Sequence, residues 1–377
     1  MARRGENIYK RKDGRWEGRV VKGHDERGKA LYVYFYGRSY KEVKDKIFMP
    51  LSYSKDTQSH KDSPYFGDVL DLWLERKNIG LKKSSYVKYF NLINNHIKPP
   101  LGDCTLADIN SAMLNSYIAK KHSTGKINSD CGGLSEKTLK DIVMIIKSVL
   151  RFAKEEKLLS DIPVITITFP RERLKEMRVL SKDEQMALEK YLYKDMDTSK
   201  LGILLCLYTG LRVGEICSLR WQDISLTKHT LTVKSTIQRI QTLDAFDSKK
   251  TKVLVTEPKS DCSLRTIPLP DFLIDILEIL RPNDQDAFVL TGKAKNYIEP
   301  RTYQNHFKSY IAAIGIEDAN FHSIRHTFAT RCVEVGFEIK SLSEILGHAN
   351  VTITLNRYVH PSFDLKRSNM NKLNNPI

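Results

Sequence analysis

Three stretches in the C-terminal half carry polar residues that helix building alone does not require. In Thr209-Gly210-Leu211-Arg212-Val213-Gly214-Glu215, an apolar run ending at Tyr208 reaches a glycine break and then presents Arg212, with Glu215 one turn later. A carboxylate at that spacing can hold a guanidinium in the single orientation that anion binding requires, although a surface ion pair would show the same spacing. In His322-Ser323-Ile324-Arg325-His326-Thr327, His322 and Arg325 share one helix face while Ile324 and Phe328 share another that can be buried. His322 and His326 are also four apart, as in a zinc-binding helix, but position 323 is Ser where that motif needs a carboxylate base. In the third stretch, a helix from Ser341 to Leu346 meets Gly347, suited to a left-handed helix end. His348 is then fixed at a turn, and a short helix or turn delivers Tyr358 ten residues on. With 17 tyrosines in the chain, a packing role for Tyr358 is the plainer reading of that residue alone.

The elements that must position these residues change character along the 377-residue chain. Ile8–Arg11, Arg15–Lys22 and Ala30–Tyr36, separated by Asp13-Gly14 and by GHDERGK, read as a three-stranded antiparallel sheet, with a helix from Tyr40 to Phe48 over one face. Residues 49–64 lack periodicity. From Tyr65 the period is helical: stripes of Phe66, Val69, Leu70, Trp73 and Leu74, then Tyr86, Phe90, Ile93 and Ile97 up to a stop at Pro99-Pro100, then helices near 110–121 and 135–156. The Pro- and Arg/Lys-bearing segment 160–178 reads as an extended basic connection. Ser181 with Glu184 forms a capping box opening the last region, which is helical apart from a β-rich stretch, Thr230–Leu269.

Taken together, TGLRVGE, HSIRHTFAT and LGHANVTITLNRYVH, in this order and spacing, resemble the tyrosine recombinase family, the integrases of phages and conjugative transposons. Lys259-Ser260 followed by Arg265-Thr266-Ile267-Pro268-Leu269 fits the β-hairpin lysine segment of the same pattern. The resemblance implies a multidomain, mainly α fold with small β elements. It would comprise a β arm-binding domain (1–55), a linker (56–64), a helical core-binding domain (65–159), a second linker (160–178) and a mixed α/β catalytic domain with a C-terminal tail (179–377). It also implies roles: Tyr358 as nucleophile forming a 3′-phosphotyrosine, Arg212, Arg325 and His348 as the clamp on the scissile phosphate, and His322 as an aid to proton transfer. Lys259 would protonate the departing 5′ oxygen and Glu215 would brace the site, with Lys249, Lys250 and Lys252 as further lysines able to reach the cleft.

Elementary chemistry is consistent with those roles. A phenol of pKa about 10 is a weak nucleophile at neutral pH and an alkoxide a poor leaving group, so such a site must both activate the tyrosine and protonate the sugar oxygen. Two fixed guanidiniums can hold the non-bridging oxygens, where losing one oxyanion donor typically costs on the order of 10² to 10³ in rate. Neither a metal nor another cofactor is called for. Because the phosphotyrosine keeps the energy of the broken bond, rejoining needs no ATP.

Composition points to the same partner. Lys and Arg exceed Asp and Glu by 61 to 45, and residues 1–55 alone hold 15 basic against 7 acidic residues, half of the surplus. A polyanion, nucleic acid before an anionic membrane, is the expected partner, and the resemblance implies that it is double-stranded DNA. Arg15, Arg19 and Lys22 on the sheet could enter a groove at arm sites, while Lys82, Lys83, Lys88, Lys140, Lys147 and Arg151 lie off the apolar stripes and could touch phosphates at core sites; for the helical set a solvated charged face is the commoner explanation. The six cysteines are widely spaced, and the longest charge-free apolar run, Leu201–Leu211, is short of the ~18 residues a membrane helix needs, so a cytoplasmic protein is expected. The family further implies a homotetramer on DNA, a monomer off it, and room for excision or DNA-bending accessory proteins. Competing readings are a type IB topoisomerase, which the basic arm and tail argue against, and a non-catalytic DNA-binding regulator.

Overall fold

The computed structural model describes residues 7–11, 14, 16–24, 30–37, 39–48, 63–127, 132–170, 177–243, 250–256, 264–358, 367, 370 and 371. Arg15, Lys249, Lys259 and nearly all of the tail beyond Tyr358 lie outside the described residues. The chain divides into two compact units, Met1–Arg76 with Leu92–Phe169, and Lys77–Asn91 with Pro170–Ile377.

In the first unit, strands β1 (Ile8–Lys10), β2 (Trp16–His24) and β3 (Ala30–Gly37) form an antiparallel sheet in that order, with helix α1 (Tyr40–Phe48) against it. Val43 of α1 is fully buried, whereas Tyr32, Tyr34 and Tyr36 of β3 stay 40–48% exposed. The alternating tyrosines therefore form an outward face and do not make the core of the sheet. Helix α2 (Phe66–Asn78) buries the stripe expected from sequence. Helix α3 (Lys83–Leu92), most of which falls in the second unit, ends at Leu92.

The chain does not stop at Pro99-Pro100. Residues Ile93–Ile97 form a single π turn, and α4 (Lys98–Leu101) begins with the two prolines inside its first turn. The reason is local: Pro100 has no N–H to give the His96 carbonyl, and the Tyr117 hydroxyl donates to that oxygen instead, at 3.0 Å. Helices α5 (Ser111–Thr124) and α6 (Glu136–Glu155) complete the unit, with Leu139, Ile142, Ile146 and Val149 of α6 fully buried.

In the second unit α7 (Lys182–Tyr193) opens on the expected Ser181/Glu184 capping box. Helix α8 (Thr198–Thr209) follows, buried along nearly its whole length, as befits the centre of a core. After α9 (Val213–Ser218), strands β4 (Ile224–Ser225) and β5 (Thr230–Val233) precede a hairpin of β6 (Thr236–Gln241) and β7 (Thr251–Thr256). Strand β8 (Arg265–Pro268) returns to β5, pairing Val233 with Arg265 and Leu231 with Ile267 in a sheet ordered β4-β5-β8. Helices α10 (Asp271–Leu280), α11 (Pro300–Ala313), α12 (Phe321–Glu334), α13 (Ile339–Leu346) and α14 (Val351–Tyr358) follow.

Candidate active site

Helix α8 ends because Gly210 turns left-handed, with φ of 65°. A Cβ there would lie 2.6 Å from the Phe328 ring, so glycine is required for space as well as for handedness. The turn leaves Arg212 in extended backbone as the N-cap of α9, ahead of the helix and not one turn inside it. Glu215, three residues on, reaches back: its Oε2 accepts the Arg212 backbone N–H at 2.9 Å and its Oε1 accepts Arg212 Nη1 at 2.8 Å. Arg212 Nη2 also donates to the Gly347 carbonyl at 3.1 Å. From the other side Arg265 of β8 donates Nη1 to Oε1 at 3.1 Å, Nη2 to Oε2 at 2.8 Å and Nε to the Ile345 carbonyl at 2.6 Å. The side chains of Glu215 and Arg265 are 4% and 6% exposed. Burial by itself would raise the Glu215 pKa, but the hydrogen bonds and charge of Arg265, then those of Arg212, hold it at about 2. Glu215 is thus a buried anion between two arginines, and only Arg212, with 37% of its side chain accessible, faces outward.

Arg325 on α12 is 2% exposed. It donates Nη1 to the Gly210 carbonyl and Nη2 to the Leu346 carbonyl, each at 2.6 Å, and Nη2 lies 3.0 Å from His348 Nε2. Both carbonyls stand at the C-terminal ends of helices, α8 and α13, where unpaired oxygens and the negative end of the dipole suit a buried cation. Burial, reinforced by Arg212, lowers its pKa to about 9, which leaves it charged at neutral pH. Gly347, left-handed with φ of 64°, closes α13, and the His348 N–H bonds back to the Ser343 carbonyl at 3.1 Å. The imidazole is pinned at its other nitrogen too, Nδ1 lying 2.8 Å from Thr354 Oγ1. Burial first, then the charges of Arg325 and Arg212, push its pKa down to about 3.

Tyr358, the last residue of α14, is 6% exposed and packs with Phe328, Ala329, Leu342 and Leu346. Its ring lies parallel to that of His348, centroids 6.4 Å apart, and its Oη is 2.9 Å from Nδ1 of His326. Burial raises the phenol's pKa, opposed by the charges of Arg325 and Arg357. His322 is exposed on one side and meets His326 edge-to-face at 4.5 Å. Desolvation, followed by repulsion from Arg325 and Arg212, brings its pKa down to about 4. Of the pair, His326 is the one that meets the tyrosine, and among the described residues no three His, Cys, Asp or Glu side chains gather as metal ligands. Arg212 and His348 open onto a cleft of about 690 Å³ whose walls also carry Arg239 and Arg301.

Five of the residues singled out in sequence, with Glu215 as a sixth, therefore converge on one site: Arg212, His322, Arg325, His348 and Tyr358. Lys259 falls outside the described residues, while Lys252 lies on β7 and Lys250 immediately precedes it. Arg19 is exposed on β2, its guanidinium 5.1 Å over the Tyr32 ring, and Lys22 lies on the same strand beside a bulge. Lys82 and Lys83 are exposed at the start of α3; Lys147 and Arg151 lie one turn apart on the exposed side of α6. Lys140 is engaged with Glu136 at 2.5 Å. Two residues of the site are not assigned by the sequence motifs. For Arg265 a signal exists, since it shares strand parity with the buried Ile267 and Leu269 and a charge there needs a partner. For His326 there is none, because spacing alone does not say which helix will cover it.

Residues 178–364 match the phage integrase family, and residues 65–122 match the phage integrase N-terminal SAM-like domain. A tyrosine recombinase XerA from Pyrococcus furiosus is 30% identical over 59% of this chain and 69% of its own length. The chain belongs to the phage integrase family of tyrosine recombinases. A XerC-like tyrosine recombinase of Caldanaerobacter subterraneus subsp. tengcongensis is 29% identical to this recombinase, covering 90% of it and 91% of the relative. Among solved structures, the Tn1549 transposon integrase in complex with a circular intermediate DNA superposes with a TM-score of 0.65 at 20% identity, over 83% of the recombinase and all of that chain. A lambda integrase tetramer bound to a Holliday junction matches with a TM-score of 0.54 at 21% identity, over 92% and 96%. The recombinase is accordingly a site-specific DNA strand-transfer enzyme, and the topoisomerase and non-catalytic readings are not favoured. Among the described residues no helix is long and apolar enough to cross a membrane.

Proposed function

We propose that this recombinase integrates and excises a mobile element, with Tyr358 as the nucleophile. Tyr358 Oη attacks the scissile phosphorus, forming a 3′-phosphotyrosine and releasing a 5′ hydroxyl that later attacks in reverse on a partner strand. Arg212, Arg325 and His348 hold the non-bridging oxygens. Glu215 fixes Arg212, His322 assists proton transfer, and Lys259 is assigned protonation of the 5′ oxygen. The observation that carries this reading is the convergence of Arg212, Arg325 and His348 on one buried phenol, from segments far apart in sequence, through carbonyls of the same helix ends.

Core-type sites are assigned to the domains 65–159 and 179–377, with Lys82, Lys83, Lys147 and Arg151 on phosphates, and arm-type sites to 1–55, with Arg15, Arg19 and Lys22. The outward tyrosine face of the sheet, with Arg19 laid over it, supports the second assignment. Assembly as a tetramer on DNA, from a monomer off it, draws support from the likeness to the lambda integrase tetramer. The site of action is cytoplasmic, and excision or DNA-bending factors would set direction.

A duplex cut from the DNA flanking the recombinase's own gene, nicked beside the cleavage point, tests the nucleophile. The wild-type chain should be trapped as a covalent adduct, and Tyr358→Phe should bind the duplex as tightly yet form none. Adduct surviving in Tyr358→Phe would refute the assignment.

A further inference from the structure

We propose that His326 is the group that takes the proton from Tyr358, and so acts catalytically beside His322 and His348; this rests on Tyr358 being the nucleophile. The phenol has one proton to lose, and Nδ1 of His326 stands within hydrogen-bond distance of its oxygen, at 2.9 Å. A ring nitrogen accepts an O–H only if it carries no proton itself, so this role requires His326 to hold its proton on Nε2. Both partners are nearly sealed from solvent, at 7% and 6% exposure, so bulk water is poorly placed to remove the proton. His348 lies parallel to the phenol ring, with Nε2 facing Arg325 and Nδ1 facing Thr354, so neither of its nitrogens meets the phenol oxygen.

The surroundings also explain how attack is tied to DNA. His326 faces His322 on its own helix, Arg325 on the same helix, and Arg357 and Tyr358 from α14. Burial, with these positive neighbours, keeps its pKa down at about 4, so the imidazole is neutral and able to accept. A scissile phosphate arriving on the arginines offsets their charge and makes His326 more basic at the moment of attack. In the step, the Oη–H bond breaks and the proton moves to Nδ1, giving an imidazolium. Oη bonds to phosphorus, and the P–O5′ bond breaks with its electron pair on the 5′ oxygen, which takes the proton assigned to Lys259. On rejoining, His326 returns its proton to the phenolate.

His326→Asn places an amide oxygen near the Nδ1 position, keeping the hydrogen bond but not the capacity to take a proton. On the nicked flanking-DNA duplex, adduct formation by His326→Asn should be slower by about 10²-fold or more at pH 7. It should then recover by about tenfold per pH unit towards pH 10, as the phenol ionises without help. A wild-type rate in His326→Asn, or a deficit of constant size at every pH, would overturn the proposal and leave His326 a packing residue. Adduct in Tyr358→Phe would instead overturn the nucleophile assignment, whatever His326 does. If His326→Asn loses binding to the duplex, the unaltered chain decides: with ¹⁵N-labelled histidine, Nδ1 of His326 should be proton-free at pH 7 and shift in Tyr358→Phe. A protonated Nδ1 contradicts the proposal.

Discussion

Replacing Arg265 by Met should damage the recombinase twice over, and by amounts that separate. Arg265 makes two of the four hydrogen bonds on a Glu215 carboxylate that is 4% exposed. Removing one partner of a buried ion pair typically costs about 3 to 5 kcal/mol, and the lower end applies here because Arg212 still pairs with Glu215. In a unit of this size that corresponds to a fall in unfolding temperature of roughly 5 to 10 °C. Adding Glu215→Gln to Arg265→Met removes the stranded charge, so the double variant should recover part of that stability. Cleavage should not recover, because the carboxylate that orients Arg212 is then gone as well; a deficit on the order of 10² is expected of both variants. Thermal unfolding and adduct formation on the nicked duplex measure the two effects. A single variant as stable as the wild type, or a double variant that cleaves normally, would refute the idea that Glu215 works as a charged brace. The same pair sets an acid limit. Because the Glu215 pKa is depressed from 4.5 to about 2, the unfolded chain binds the extra proton between those values. Its contribution, of order 3 kcal/mol, is present above pH 4.5 and disappears as pH falls towards 2, and Glu215→Gln should show no such decline.

Other consequences are simpler. Gly210→Ala puts a methyl group 2.6 Å from the Phe328 ring at a φ of 65°, so it should destabilise by more than about 1 kcal/mol and slow adduct formation by disturbing the carbonyl that holds Arg325; calorimetry and the nicked duplex measure both. Deleting residues 1–55 should weaken binding to arm-site DNA and flatten its salt dependence, by close to one unit of log–log slope for each phosphate no longer neutralised. Equal slopes for the whole and shortened chains would mean that the sheet does not touch DNA.

Much of this is legible in the chain, for identifiable reasons. The stripes of α2 and α6, the Ser181/Glu184 cap and the Gly347 helix end are local signals, and local geometry honours them. Arg212 is visible as a polar residue after a glycine break, but its place as an N-cap depends on Gly210 turning left-handed against Phe328, a residue more than a hundred positions away. The prolines after Ile97 look like a stop because periodicity cannot foresee a π turn, nor the Tyr117 hydroxyl that takes over the carbonyl left without its helical donor. Spacing shows His326 only as half of a zinc pair, since its partner is supplied by α14, 32 residues further on. Charge is the least specific signal: Lys140 lies with Glu136, while Lys147 and Arg151 stand on an exposed face one turn apart.

Everything rests on Tyr358, gathered with Arg212 and Arg325, becoming covalently joined to DNA. The most direct measurement digests the trapped complex with nuclease and protease and locates the nucleotide by mass spectrometry. A nucleotide joined through its 3′ phosphate to the peptide containing Tyr358 is the expected result. A nucleotide on any other residue, or a reactive wild-type chain with no nucleotide attached, would contradict it.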